Sequence, residues 1–342
     1  MRQLAAAEPS DAAAPAPAGR GWRRSLAALA LGALILALFI YYSDLDEIDD
    51  HMGALGWSAP LVLLPYLIIN MFDTLGWRCT LPAAGARVPF VSLYLARMAG
   101  EAVNSLTVAV GGEPVKAHLL RRFGVSGSDG LASVVIAKTA LTVSQIALVL
   151  LGIAALFDRL ERRALGAVWL ALLLVAAIAF VALMVRLQRR GPLITLWGWL
   201  GRLAPRAAFV ARLEASAQAI DARLAEFYGH QGPAFRRATL LHLIGWLLGI
   251  VEVWAIMALI GAPIAWRDAL IIEALAQPIR ATSLVIPGGL GTQEVGGVAL
   301  CAFLGMTEGV GATLWLLRRG RELVFDAVGL LYLARWAAPP AR

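Results

Sequence analysis

The chain has 342 residues, 60% of them hydrophobic and only 15% charged, with a mean hydropathy of +0.73. A soluble domain is ordinarily about 45–50% apolar and about 25% charged; here the excess sits in blocks long enough to cross a bilayer, which excludes most soluble enzyme folds. The formal charge of +7 and the pI of 10.0 come almost wholly from arginines clustered between the apolar blocks, a pattern of cytoplasmic loops facing acidic lipid rather than of a nucleic-acid surface.

Residues 1–24 begin with a stretch rich in Ala, Pro and Gly and end in Arg20, Arg23 and Arg24. They cannot build a core and read as a disordered cytoplasmic tail. The apolar run Ser25–Tyr42 resembles a signal peptide, but no A-x-A-like cleavage site follows it, so a retained anchor is predicted. An acidic loop, Ser43–Asp50, comes next. Apolar blocks follow at Trp57–Trp77, Val88–Val110, Leu131–Phe157, Leu165–Val185, Leu240–Ile260, Ala269–Ile286, Val295–Leu304 and Gly309–Trp336. A helical crossing needs about 20 apolar residues. Val88–Val110, Ala269–Ile286 and Val295–Leu304 are each short or broken by glycine, proline or charge.

Arg78 and Arg87 follow the second helix, and Lys116, Arg121 and Arg122 follow the next block. Nine arginines stand against three acids between Arg186 and Arg237. The positive-inside rule places these segments in the cytoplasm and the acidic loop outside. Both flanks of Val88–Val110 then lie on one side, so this segment is predicted to enter and return as a re-entrant hairpin. The segment 186–237 reads as a cytoplasmic linker between two halves of one membrane domain, 25–338. Within the linker, Phe209, Leu213, Ala217, Ile220, Leu224 and Phe227 recur at three- and four-residue spacing, with Arg212, Glu214, Asp221 and Glu226 elsewhere around the helix. Such a helix lies on the membrane surface or packs on the bundle. Trp197 and Trp199 fit interfacial anchors.

Two glycine-broken segments, one in each half, resemble each other. Ser105–Gly112 contains Gly111 and Gly112 and runs into Glu113; Ser283–Gly289 contains Pro287, Gly288 and Gly289 and is followed by Gly291 and Glu294. Paired Gly/Pro-interrupted apolar segments at corresponding places point to a transporter site. Glycine permits positive φ, and half-helix N-termini offer free N–H groups to anions. Counting crossings, the second hairpin enters from the side opposite the first, an inverted arrangement. Glu308–Trp336 is predicted as one long helix with Arg318, Arg319, Arg321, Glu322 and Asp326 near its middle, in preference to two crossings joined by an Arg-Arg-Gly-Arg loop.

Ionisable groups at bilayer depth cost roughly 2.5–3.5 kcal/mol on insertion scales, so their presence signals function or pairing. Arg97, Glu101 and Asn104 stand at i, i+4, i+7, as do Lys138, Thr142 and Gln145, and Glu273, Gln277 and Arg280. Each trio makes one polar stripe. Arg318, Glu322 and Asp326 make a fourth on a continuous last helix. Glu252 lies deep in its block and Asp73 near the end of the second helix. Lys138, Arg280 and Arg318 can hold a phosphate; Glu101, Glu252 and Glu273 can exchange protons or balance a basic headgroup. Gly245 and Gly249 form a GxxxG, which serves close packing or a homodimer.

Chemistry of other kinds has little support. Cys79 and Cys301 form no disulfide framework, and His51, His118, His230 and His242 are scattered, so no metal and no cofactor is expected. His242 reads as a satisfied helix-end residue. No GK[ST], nucleophile elbow or HExxH is present, and an enzyme is not expected.

Arg97-Met-Ala-Gly-Glu-Ala-Val-Asn-Ser-Leu106, Gly111-Gly-Glu-Pro-Val-Lys-Ala-His-Leu-Leu120, Leu131–Lys138 and Ile286-Pro-Gly-Gly-Leu-Gly-Thr-Gln-Glu294 together resemble the signatures of the flippase-like membrane proteins similar to the transmembrane region of lysylphosphatidylglycerol synthase. Thr107 and Ala109 stand where relatives often carry proline. The resemblance spans roughly residues 25–338. It implies a bacterial or archaeal inner-membrane protein associated with moving lipids between leaflets. In bifunctional relatives an aminoacyl-transferase domain follows the membrane part; aminoacyl transfer is not carried over to this chain. The expectation is an all-α polytopic membrane protein with about six transmembrane helices and two re-entrant hairpins in inverted pseudo-repeat. Its expected activity is flippase-like transport of a phospholipid or polyprenyl-linked amphiphile with an anionic or phosphate-bearing headgroup. The alternative is a non-transporting subunit that docks a lipid-modifying or glycosyl-transfer enzyme through 186–237.

Overall fold

In a computed structural model the described residues are 34–38, 41, 45–107, 111–191, 193, 208–282 and 289–337. The predicted tail, most of the Ser25–Tyr42 anchor, Trp197 and Trp199 lie outside them. The described residues form α-helices and short 3₁₀ turns without a strand. The helices are α1 (Leu45–Leu55), α2 (Leu63–Arg78), α3 (Phe90–Leu106), α4 (Gly112–Leu120), α5 (Gly127–Arg159), α6 (Arg163–Arg189), α7 (Ala208–His230), α8 (Gly232–Leu259), α9 (Trp266–Thr282), α10 (Thr292–Phe303) and α11 (Glu308–Ala337). Among the described residues four stretches are long and apolar enough to cross a membrane: Leu45–Arg78, Gly127–Arg159, Ala164–Arg189 and Gly232–Leu259. The helix α11 is continuous, as predicted, and its 30 residues reach about 45 Å; its central charges keep it out of the apolar class.

The predicted acidic loop at 43–50 is instead mostly the start of α1. Asp46 and Glu47 fall in its first turn, where carboxylates complement the helix dipole. Glu47 also accepts a hydrogen bond from the Gly309 N–H at 3.2 Å and another from the Thr307 hydroxyl, capping the start of α11.

Two helical hairpins are present. The first differs from its prediction: α3 supplies one arm and α4 the return arm. That arm read as a flanking cytoplasmic loop because it carries Lys116. The lysine is buried and pairs with Glu101 at 2.7 Å and Glu113 at 3.6 Å. Backbone contact, rather than a left-handed turn, explains the glycines here. Gly111 and Gly112 are not among the positive-φ glycines, and a β-carbon at Gly112 would press on the Gly100 carbonyl. The second hairpin, α9 with α10, follows the predicted blocks. Its glycines do need freedom: Gly289 has φ 61° and Gly291 φ 76°. A β-carbon at Gly291 would also meet Ile35 at 2.5 Å, so the 34–38 stretch crosses this turn.

The hairpins open at opposite ends of the bundle. At one end Arg159 of α5 pairs with Asp268 at the start of α9 and donates to the Leu304 carbonyl after α10 at 2.6 Å. His51 joins the same end through the Ile260 carbonyl after α8, at 2.8 Å. At the other end His118 of α4 stacks edge-on against Trp336 of α11, with ring centroids 4.7 Å apart, and Arg122 lies over the same ring. The helix α11 therefore runs past both hairpins from end to end.

The helix α7 packs on the bundle. Ile220, Leu224 and Phe227 are buried in a cluster with Ala132 and Ile136 of α5. Leu224 is 1% exposed, and Leu224→Ala is expected to cost about 2–5 kcal/mol. A thermal unfolding scan of the purified variant would read this as a lowered midpoint; an unchanged midpoint would mean that α7 does not hold this seat.

Candidate functional site

The polar stripes converge. Asn70 and Asp73 on α2, Arg97, Glu101 and Asn104 on α3, Lys138, Thr142 and Gln145 on α5, Glu252 on α8, Glu273, Gln277 and Arg280 on α9, and Arg318, Arg319, Arg321, Glu322 and Asp326 on α11 line one cavity. Its volume is about 440 Å³. The turns of both hairpins contribute, through Thr107 and Gly289. Helical spacing of three and four aims each trio at this space, and the crossing of α11 between the hairpins closes it.

Of the residues singled out in the sequence, Arg97, Glu101, Asn104, Lys138, Glu252, Glu273, Gln277, Arg280, Gly289 and Arg318 lie on the wall. Gly111, Gly112, Glu113, Gly291 and Glu294 stand behind it. Gly112 donates its N–H to Asn104 Oδ1 at 2.8 Å, fixing that side chain. Glu113 lies 3.2 Å from Lys138. Glu294, 1% exposed, accepts from Arg319 Nε at 2.6 Å. Pro287 and Gly288 lie outside the described residues.

The wall holds cations and carboxylates in equal number, and most pair across helices. Arg318 is 4% exposed and reaches Glu273 at 2.7 Å and Glu252 at 3.7 Å, with its guanidinium over Trp315. Arg321 meets the other oxygen of Glu252 at 2.6 Å and lies 3.8 Å from the Tyr66 ring centroid. Arg318 thus differs from the expectation of a headgroup ligand: its charge is consumed by two carboxylates inside the wall. Lys138 and Arg280 are different. Their side chains are 54% and 37% exposed, one from each half of the chain. Among the described residues Arg280 is held by long contacts, Gln293 Oε1 at 3.3 Å and Glu322 at 3.4 Å.

The residue most clearly missed is His242. It lies inside α8 rather than at a helix end and is 3% exposed. Its Nδ1 is 2.7 Å from Asp73 Oδ1; Asp73 Oδ2 accepts from Arg97 at 2.8 Å, and Arg97 also donates to Asn70. The signal was present: Asp73 and His242 are ionisable residues within largely apolar blocks. The GxxxG serves this chemistry from within the bundle. A β-carbon at Gly245 would sit 3.3 Å from Asp73 Oδ1 and one at Gly249 would sit 2.8 Å from Glu273, so both glycines make room for carboxylates. Among the described residues no group of three or more His, Cys, Asp or Glu is placed to hold a metal. Cys79 and Cys301 are free thiols.

Apolar helices long enough to span a bilayer, with two opposed hairpins turned toward an internal polar cavity, define an all-α polytopic membrane protein. Residues 25–329 match the family described as the lysylphosphatidylglycerol synthase TM region, and the chain belongs to that family. It is also similar to a UPF0104 membrane protein of Methanothermobacter thermautotrophicus, 26% identical over 309 residues that cover 85% of this chain and 89% of the relative.

Proposed function

We propose that the protein is a flippase-like transporter in the cytoplasmic membrane, with its N-terminus in the cytoplasm. Its substrate is a phospholipid or polyprenyl-linked amphiphile whose headgroup bears a phosphate. One observation carries this reading: the polar cavity lies at the turns of two hairpins that open at opposite ends of the bundle. Displacing one hairpin at a time would expose the same cavity to either side, the requirement of alternating access. The volume falls within the roughly 300–1,000 Å³ of small-molecule sites, enough for a headgroup while acyl chains stay in lipid. Lys138 and Arg280 are the cations on the wall with exposure to spare for a phosphate. No bond-making step is assigned to the chain; binding and a conformational cycle suffice. The alternative role as a docking subunit is less supported, because the apolar face of α7 is already occupied by α5.

The test is leaflet transfer of a fluorescent phospholipid in vesicles reconstituted with the protein, read by quenching of the outer leaflet. A charge-assisted hydrogen bond is worth about 1.5–3 kcal/mol, so Arg280→Ala is expected to slow transfer by about tenfold or more while leaving the thermal midpoint near that of the wild type. Native mass spectrometry should show one lipid class retained by the wild type and lost from Arg280→Ala. Wild-type transfer no faster than in empty vesicles would reject the reading.

A further inference from the structure

The pair Asp73–His242 is not needed to hold a headgroup, yet it is buried where three helices meet. It borders a side pocket of about 40 Å³ that shares Asp73, Arg97, Glu101, Lys138 and Leu141 with the main cavity. A pocket of that size, with ionisable side chains in its lining, has room for about three waters. His242 Nδ1 faces Asp73, and its buried Nε2 has no hydrogen-bond partner among the described residues. The ring edge lies against Gly76 of α2, where a β-carbon would come within 2.7 Å of Nε2. With Nδ1–H donated to Asp73, the Nε2 lone pair is unused, and a buried polar atom left so is costly.

We propose that Asp73 and His242 form a proton-binding site linked to the cavity, so that each transport cycle carries a proton. This rests on the transport reading above and adds its coupling ion. The proton comes from water on one side of the membrane, binds Nε2 to give an imidazolium, and returns to water on the other; only an N–H bond forms and breaks. Its consequence is mechanical. Asp73 holds Arg97 of α3 and His242 of α8 at once. A positive imidazolium competes with Arg97 for that carboxylate and loosens α3, hence the first hairpin, from α2. The charged groups around the pair are Arg97 and Glu101 of α3, Lys116 of α4 and Lys138 of α5. Farther along α8, Glu252 is held by Arg318 and Arg321 of α11, with Glu273 of α9 beside it.

The first measurement is NMR of the full-length protein in lipid nanodiscs with ¹⁵N-labelled histidine, titrated through the imidazole range, the His242 signal being the one missing in His242→Gln. The His242 signal is expected to move with pH in the wild type and to respond differently in Asp73→Asn, which removes the carboxylate bonded to Nδ1. The second is phospholipid transfer in proteoliposomes with and without an imposed pH gradient. The wild-type rate is expected to change by at least about fivefold with the gradient, and the ratio for His242→Gln to fall to one. A His242 signal that does not move overturns the proton site, whatever the vesicles do. Wild-type transfer indifferent to the gradient overturns the coupling. Absence of any lipid transfer together with a titrating His242 rejects the transport reading and supports the proton site.

Discussion

Arg318→Ala is expected to destabilise the folded protein by about 3–5 kcal/mol, the usual cost of removing one partner from a buried ion pair. Two carboxylates lose their cation at once. Glu273 keeps only its contact with Gln277, at 3.2 Å, and Glu252, fully buried, is left with Arg321 alone. The contact of the guanidinium with the Trp315 ring, 5.1 Å from its centroid, disappears as well. Thermal unfolding of the detergent-purified variant should show a marked fall in midpoint and in yield, and Arg318→Lys should recover only part, because an ammonium lacks the planar fork of donors that serves two carboxylates at once. A midpoint equal to that of the wild type would show that cavity water already solvates Glu252 and Glu273. The contrast with Arg280→Ala separates the scaffold of the cavity from its exposed ligands, a distinction that a transport assay alone would blur.

Gly112→Ala is expected to damage the first hairpin as severely. The added carbon would lie 2.7 Å from the Gly100 carbonyl carbon and closer still to its oxygen, both backbone atoms that no rotamer change can move aside. Overpacking ordinarily costs about 1–3 kcal/mol; with backbone on the far side the upper end or more is expected. Separation of α3 from α4 would also break the Gly112 N–H bond to Asn104 and draw Lys116 away from Glu101. Gly53→Ala is the matched control, since nothing lies within 4 Å of the added carbon there. Thermal midpoints of the two variants should diverge, with Gly53→Ala at or slightly above the wild type. Similar midpoints would mean that the Gly100–Gly112 approach is not a real constraint.

Much of this architecture is written into local periodicity. Arg97, Glu101 and Asn104, or Glu273, Gln277 and Arg280, announce a polar face by spacing alone, and the cavity is where those faces meet. The paired glycine breaks likewise place both hairpin turns to within a few residues. What periodicity does not carry is the partner. Nothing near Arg318 indicates that its carboxylates come from α8 and α9 rather than from a ligand. Composition also misleads where a charge is buried: Lys116 made α4 look like a cytoplasmic loop, and the acids of 45–50 hid a helix whose Glu47 caps α11. The role of His242 is not legible locally, because it depends on Asp73, 169 positions earlier in the chain.

The continuous α11 has a consequence for how the protein is made. Its central turn supplies the arginines that neutralise Glu252 of α8, Glu273 of α9 and Glu294 of α10. All three acids precede it in the chain, so each leaves the ribosome and meets the membrane before its partner exists. A carboxylate at bilayer depth costs roughly 2.5–3.5 kcal/mol on insertion scales until it is paired, which leaves α8, α9 and α10 provisional during synthesis. They must wait at the translocon, or beside an insertion chaperone, for one helix to arrive. Assembly of the second half is then a single late event, and a nascent chain stalled before residue 308 is an orphan that membrane quality control should remove.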